Sequence, residues 1–442
     1  MIKGLTKALV KFVNKFLPNP YVFSIILSAI VFVLAILLTG NGPVAMIDFW
    51  YNGVFSLLSF TMQMVLVLIT GYALARTTVV ENFLRKLARI PKSPVQAVMF
   101  TAMIAYLCSY LSWGFGLIAG ALVAKEVAIV NEGKGIHFPI LVAAAYSGNL
   151  VRGPSSSIPL VIATEGHFLQ DLIGIVPVSE TLMSPWNLMM TVALFVLIPL
   201  LYMKMNPGEG ETIIEADVEK LKASIEKRDS ENKASLAPNE RMNNSRILAL
   251  IIVIPGLIYI VKHFATNGLD LNLNIIIFVF MIFGILGHKS PIGYVRAINE
   301  AIKVAGGVAL LFPFYAGIMG MMRTSGLAAI MSEWFVSFST AETFPLFTFW
   351  SAGLVNLFVP SGGGQWAVQG PIMMPAAAEL GADPSKVIMA LAWGDSWTNQ
   401  IQPFWALPIL AISGLDVKDI MGYCLMVSIL AGIVIPLFLM LA

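Results

Sequence analysis

The sequence predicts an all-α polytopic membrane protein made of two related halves, each with a re-entrant hairpin and a discontinuous helix. Three observations lead there. Of 442 residues, 58% are hydrophobic and only 12% charged, with a mean hydropathy of +0.83; a water-soluble chain of this size cannot cover so much apolar surface. Continuous apolar runs of about 20 residues, enough to cross the hydrocarbon layer, recur along the chain. Glycine- and serine-rich breaks interrupt other apolar stretches, where lipid cannot satisfy an open backbone.

The breaks recur at a fixed offset. The first half holds Leu111-Ser112-Trp113-Gly114 and Gly153-Pro154-Ser155-Ser156-Ser157-Ile158-Pro159. The second holds Pro360-Ser361-Gly362-Gly363-Gly364 and Gln402-Pro403-Phe404-Trp405-Ala406-Leu407-Pro408. An offset of 249 carries Ser112 to Ser361, Gly114 to Gly363, Pro154 to Pro403 and Pro159 to Pro408. Interrupted segments at matching places in two halves point to the binding site of a transporter.

Taken in order, residues 3–17, with Lys3, Lys7, Lys11 and Lys15, read as an amphipathic helix on the inner membrane surface. The run 22–39 is too long for a signal peptide and lacks a small-residue cleavage site, so it is an uncleaved first span. Further spans are expected near 55–75, 187–204, 247–265, 272–287, 303–322 and 420–441. The segments 138–164 and 385–413 are expected as discontinuous spans. In 96–130 and 344–380 the halves on each side of the break are about 15 residues, too short to cross, so both read as hairpins with buried tips. The amphipathic stretches 79–90 and 327–340 read as interfacial helices.

Charge placement orients this arrangement. Arg76, Arg85, Lys86, Arg89, Lys92 and Lys134 fall on the side of the N-terminal lysines, whereas loop 165–186 has Glu165, Asp171 and Glu180 and no basic residue. The positive-inside rule therefore puts the N-terminus in the cytoplasm. The charged stretch 205–246 is a partly helical cytoplasmic linker. The run 247–265 has no counterpart in the first half and reverses the orientation of every later segment. The result is inverted repeats, nine spans, two hairpins and an extracytoplasmic C-terminus.

Candidate substrate contacts come from the tips and breaks. Helix starts with free N–H groups suit an anion, which selects Ser112, Trp113 and Gly114 in the first hairpin and Ser361, Gly362, Gly363, Gly364, Gln365 and Trp366 in the second. The first break adds Ser155, Ser156, Ser157 and Arg152, whose fork of donors matches one carboxylate; the second adds Gln402. Hydroxyl, amide and unwound carbonyl oxygens suit a hard cation such as Na⁺, which selects Ser109, Gly148, Asn149, Gly394, Asp395, Thr398 and Asn399. Asp395 serves a cation, takes up a proton, or pairs with Arg152. Trp113, Phe115, Trp366, Trp393, Trp397, Phe404 and Trp405 offer an apolar wall for a short acyl chain. Lys125 and Glu126 read as structural.

Other classes lack their marks. The four histidines, His137, His167, His263 and His288, fall at or near span ends, and neither H-E-x-x-H nor G-x-S-x-G occurs, so the chain is not read as an enzyme. No phosphate-binding loop supports ATP-driven transport, and no basic–aromatic block suggests nucleic acid. A channel has no need of opposed hairpins. Cys108 and Cys424 read as small buried hydrophobes, and no cofactor is expected beyond a coupling ion.

Several stretches resemble the bacterial short-chain fatty acid transporters: Pro360-Ser361-Gly362-Gly363-Gly364-Gln365-Trp366, Gln369-Gly370-Pro371, Gln402 to Pro408, Phe312-Pro313-Phe314-Tyr315-Ala316-Gly317-Ile318, Asp419-Ile420-Met421-Gly422-Tyr423-Cys424 and Phe60-Thr61-Met62-Gln63-Met64. The likeness covers nearly the whole chain and departs most around Arg152 to Ser157. It implies an ion-coupled secondary carrier, using Na⁺ or H⁺, for acids such as acetoacetate or butyrate across the bacterial inner membrane. A dicarboxylate or amino acid is the alternative cargo. It also implies membership of a wider ion-transporter group with a scaffold, often a homodimer, and a transport domain that moves like an elevator. Carried onto this chain, 1–95 is the N-terminal helix with scaffold spans, 96–164 transport domain, 165–204 outer loop and scaffold span, and 205–246 linker. Beyond these, 247–343 is scaffold with the interfacial helix, 344–413 transport domain and 414–442 the final span.

Overall fold

Prolines and short polar residues set where helices begin. The computed structural model describes residues 20–207, 212–219, 221, 238–357 and 359–441; the helix expected over 3–17 and much of the 205–246 linker lie outside them. In eight helices preceded by a described residue, proline is the first or second residue, where the missing N–H would have had no partner. Thr77, Ser93, Ser112, Ser245, Asn272, Ser290, Ser361 and Asp383 cap helix starts with side-chain oxygens, a local remedy where water is scarce.

Among the described residues the chain forms twenty α-helices and no strand. The first half comprises α1 (Pro20–Thr39), α2 (Pro43–Ser56), α3 (Leu58–Ala75), α4 (Thr78–Leu87), α5 (Pro94–Leu111), α6 (Trp113–Val130), α7 (Phe138–Tyr146), α8 (Ser157–Ile162), the short α9 (Gln170–Ile173) and α10 (Pro185–Met205). After α11 (Pro238–Asn243) and α12 (Arg246–Asn267) come α13 (Leu273–His288), α14 (Pro291–Ser325), α15 (Leu327–Phe338), α16 (Phe344–Asn356), α17 (Gly362–Leu380), α18 (Pro384–Asn399), α19 (Leu407–Ser413) and α20 (Val417–Leu441). Single 3₁₀ turns, Ser147–Leu150 and Pro403–Ala406, interrupt the segments α7–α8 and α18–α19.

The offset of 249 holds at the level of helices. It carries α6 to 362–379, against an observed Gly362–Leu380, and α4 to 327–336, against Leu327–Phe338. Two differences stand out. The span expected at 55–75 is split at Leu57, whose backbone (φ −111, ψ 22) leaves the helical region, and an unexpected helix, α2, precedes it. Asp48, Asn52 and Gly53 hide α2 from a hydropathy reading. The corresponding stretch of the second half is one 35-residue helix, α14, rather than a span at 303–322.

Seven helices are long and apolar enough to cross a membrane, among them both arms of the first hairpin, α5 and α6, at 18 residues each. Those arms are longer than the 15 residues expected. In the second hairpin α16 is only 13 residues and α17 is 19.

Packing sorts the helices into two groups. In one, α1, α2 and α3 pack with α13 and α14, and α12 lies on α13. Contact here reaches the backbone: a Cβ on Gly53 of α2 would stand 2.6 Å from the Ala316 carbonyl and 2.9 Å from Gly320 Cα of α14. In the other, α5–α6 packs on the α7–α8 segment and α16–α17 on α18. Helices α10 and α20 pack against this second group, α10 on α5 and α7, α20 on α7, α16 and α18. The groups meet where α6 lies on α3 and α17 lies on α14, with α4 and α15 flanking α6 and α17. Arg85 on α4 pairs with Glu126 on α6 at 3.1 Å.

Candidate functional site

Two helix starts and two helix breaks build the site. Ser112 caps α6, its Oγ accepting from the Phe115 N–H at 3.3 Å, and the spare Trp113 N–H donates to Ser155 Oγ in the first break at 3.0 Å. Ser361 caps α17 in the same way, accepting from the Gly364 N–H at 3.4 Å. Trp405 ties the second break to the second tip by donating Nε1–H to the Pro360 carbonyl at 2.9 Å. The Trp113 and Trp405 rings then meet edge-to-face at 5.4 Å, a favoured aromatic geometry.

These contacts border a half-open cavity of about 40 Å³. Its wall is Trp113, Asn149, Arg152, Ser157, Ser361, Gly362, Asp395, Asn399 and Trp405, closed by Met64, Val308 and Phe312 from α3 and α14. At about 10–15 Å³ per water on this measure, the space suits a ligand of a few heavy atoms. Gly362 is required for its shape, since a Cβ there would lie 2.6 Å from Ser157 Oγ and 3.1 Å from Asp395 Oδ2.

Arg152 and Asp395, 8% and 3% exposed, lie side by side on its wall. Arg152 Nε donates to the Ala392 carbonyl at 3.0 Å and Nη2 is ion-paired with Asp395 Oδ2. Asp395 Oδ1 and Asn149 Nδ2 are buried with no hydrogen-bond partner. The two charges cancel, so the wall is neutral overall and keeps uncommitted polar atoms, Asp395 Oδ1 among them.

The remaining candidates are close by but occupied otherwise. Gly114 abuts Leu68, Gly363 abuts Phe60 and Phe312, and Gly364 abuts Tyr315, so these glycines seat the tips on α3 and α14. Ser155 holds Trp113, and Ser156 is the buried residue before α8. Gln365 Nε2 donates to the Ala352 carbonyl and to Gln369 Oε1, bracing the second hairpin. Trp366 is fully buried, and the Gln402 carbonyl accepts from Tyr146 Oη at 3.4 Å. Among the described side chains of the expected aromatic wall, Trp113 and Trp405 line the cavity. Trp393 donates to Asn187 of α10 and Trp397 stacks on Phe349.

Four of the seven residues expected to hold a cation are engaged in packing or hydrogen bonds. α18 runs unbroken to Asn399, so Gly394 and Asp395 are helical rather than unwound. Gly394 packs on the Phe349 carbonyl and Gly148 on Ala105 and Ser109. Thr398 Oγ1 donates to the Gly353 carbonyl at 2.8 Å and accepts from Asn356 at 3.0 Å, while Asn399 Oδ1 accepts from Asn356 at 2.9 Å. Asp395 already faces a permanent cation.

Met64, Val308 and Phe312 are wall residues that carry no chemical signal of their own in the sequence. Two of them, Met64 and Phe312, do fall in the stretches that carry the family likeness. A second cavity of about 200 Å³ lies beyond them, lined by Leu57, Phe60, Gln63, Glu165, His167 and Phe168 among others. Phe60 lines that cavity and meets Phe168 at 5.8 Å and Phe312 at 5.5 Å between centroids.

A family model described as short chain fatty acid transporter matches residues 1–442. The chain belongs to the short-chain fatty acid transporter family. It is 41% identical over 438 residues to an Escherichia coli K12 protein provisionally named short-chain fatty acid transporter, covering 98% of each chain. A Haemophilus influenzae protein of the same provisional name is 39% identical over 449 residues, with 99% of each covered. Among solved structures, Neisseria gonorrhoeae MtrF, described as illuminating a class of antimetabolite efflux pumps, aligns with a TM-score of 0.60 at 16% identity over 99% of this chain and 97% of that one. The Alcanivorax borkumensis YdaH transporter, described as having an unusual topology, gives 0.56 at 14% over 96% and 97%. At such identities these two establish the fold alone. The family's multi-pass, helical, transporting character therefore holds for this chain, with a small-molecule cargo and a lipid surround.

Proposed function

We propose that this transporter is a secondary carrier that binds one short-chain monocarboxylate, such as acetoacetate or butyrate, in the cavity between Ser112–Gly114 and Ser361–Gly364. The observation that carries the reading is that both tips and both breaks, distant in sequence, converge on one small enclosure containing a buried arginine. The carboxylate takes the free donor of Asn149, the Gly362 end of α17 and the guanidinium of Arg152. Its acyl chain lies against Trp113, Trp405 and Met64. With one cation in the wall, already partly neutralised, a single carboxylate suits the site better than a dicarboxylate.

Helices α5–α8, α16–α19, α10 and α20 would form the moving unit, sliding on α1–α3 and α12–α14 in an elevator cycle, with the hairpins re-entrant from opposite sides in an inverted repeat. This grouping departs from the sequence expectation by moving α10 and α20 out of the scaffold, because their packing is with the hairpins and broken helices. The second cavity would be the outer approach, closed from the site by Phe60 and Phe312. The protein would lie in the bacterial inner membrane, as a homodimer joined through the scaffold, with its N-terminus in the cytoplasm.

Trans-acceleration separates carriage from the diffusion of the free acid through lipid. Proteoliposomes preloaded with unlabelled butyrate should take up labelled butyrate faster than protein-free vesicles with the same loading, and Ser361→Trp, which fills the tip, should abolish the difference. Full acceleration by that variant, or competition by succinate as strong as by butyrate, would overturn the reading.

A further inference from the structure

The geometry points to Asp395 as the proton-binding residue of the carrier, with Arg152 released to the substrate when Asp395 is neutralised. This inference deepens the carrier reading and rests on it. A carboxylate entering the cavity would join one cation and one anion already buried together, leaving a net negative charge where water is scarce, which is costly. Something positive must accompany it. Sodium needs several uncommitted oxygens, and the side-chain oxygens of Thr398 and Asn399 are spent on Gly353 and Asn356. A proton needs one, and Asp395 Oδ1 is buried, unpartnered and on the cavity wall.

The balance is simple. Asp395 gains H⁺ from the aqueous side to which the site is open, forming one O–H bond and losing its charge. Arg152 then exchanges its bond to Asp395 for one to the substrate carboxylate, and the unpartnered Asn149 Nδ2 supplies a second donor. Proton and carboxylate leave together on the other side, so each cycle moves no net charge.

Among the described residues no charge other than Asp395 and Arg152 lies on the cavity wall. Arg152 is the charged group on the wall beside Asp395. On the elements packed against it, α8, α16 and the 3₁₀ turn Ser147–Leu150 have no charged residue. Lys386 is in the first turn of α18, Glu379 in the last turn of α17, and Lys418 and Asp419 in the first turn of α20.

Calorimetric titration of the full chain in nanodiscs with choline butyrate, in buffers of different ionisation enthalpy, counts protons. The expected result is uptake of about one proton per butyrate bound and an affinity that falls up to about tenfold per pH unit at high pH, unchanged when NaCl replaces choline chloride. In Asp395→Asn, whatever affinity remains should no longer vary with pH. Butyrate binding without proton uptake, or binding that strengthens with Na⁺, overturns the proton assignment and leaves the carrier reading standing. Absence of butyrate binding in the unaltered protein overturns both; the unaltered protein alone decides, even should the variant fail to fold.

Discussion

Arg152 and Asp395 form a buried ion pair across 243 residues of sequence, one in the break after α7 and the other on α18 of the second half. The pair staples the two broken segments together as well as furnishing the site. Arg152→Ala should strand the carboxylate and cost about 3–5 kcal/mol, seen as a lowered melting temperature in detergent. Arg152→Gln with Asp395→Asn together should recover much of the loss. A single variant as stable as the parent would remove the pair from the account of stability.

Gly53 and Gly306 make a contrast. Both sit in helices, but a Cβ on Gly53 meets the backbone of α14, whereas one on Gly306 meets nothing within 4 Å. Gly53→Ala should destabilise by about 1–3 kcal/mol through overpacking. Gly306→Ala should stabilise by about 0.5–1 kcal/mol through the lost flexibility of the unfolded chain. Parallel thermal melts of the two variants check the sign of each.

Selectivity among acids should be shallow. Each methylene laid against Trp113 and Trp405 contributes about 0.8 kcal/mol, roughly fourfold in affinity per step from acetate to butyrate. Trp405→Ala should flatten that ladder, and Trp405→Phe, which keeps a ring, should restore most of it. Competition binding with the three acids reads the slope; an unaltered slope in Trp405→Ala places the acyl chain elsewhere.

His167, in the loop between α8 and α10, accepts the Leu169 N–H on Nδ1 and donates Nε2–H to the Gly174 carbonyl at 2.8 Å. This is the neutral tautomer, and burial pushes its imidazolium below the ordinary value of 6.5. A proton on Nδ1 would break the Leu169 bond. Because the folded value is depressed, the loop's stability is full above 6.5 and is lost as pH falls below it. Hydrogen-exchange protection at 167–174, measured relative to the intrinsic exchange rate, should therefore fall at acid pH in the parent, and His167→Gln should remove that pH dependence.

Much of the fold is legible in the chain because lipid forbids an unsatisfied backbone. The breaks at Ser112, Pro154, Ser361 and Pro403 stand out against apolar surroundings, and the offset of 249 locates α4, α6, α15 and α17 to within two residues. The helix α2 is hidden, since its buried backbone contact with α14 allows it Asp48, Asn52 and Gly53. The end of α18 is hidden too. Gly394 and Asp395 have the composition of an unwound stretch, yet glycine there serves a close helix crossing with α16.

Composition and spacing alone suffice for a helical membrane protein of two matched halves with four interruptions, because hydrophobic run length and backbone satisfaction are local rules. Which of the polar residues near those interruptions share a wall is set only when the chain closes. Hydrogen bonding and burial are zero-sum at each atom, so Thr398, Ser155 and Gln365 are drawn into holding the frame. Asp395, Asn149 and Arg152 are left facing the space between, with Met64 and Phe312 brought to close it from helices that spacing could not connect to the site.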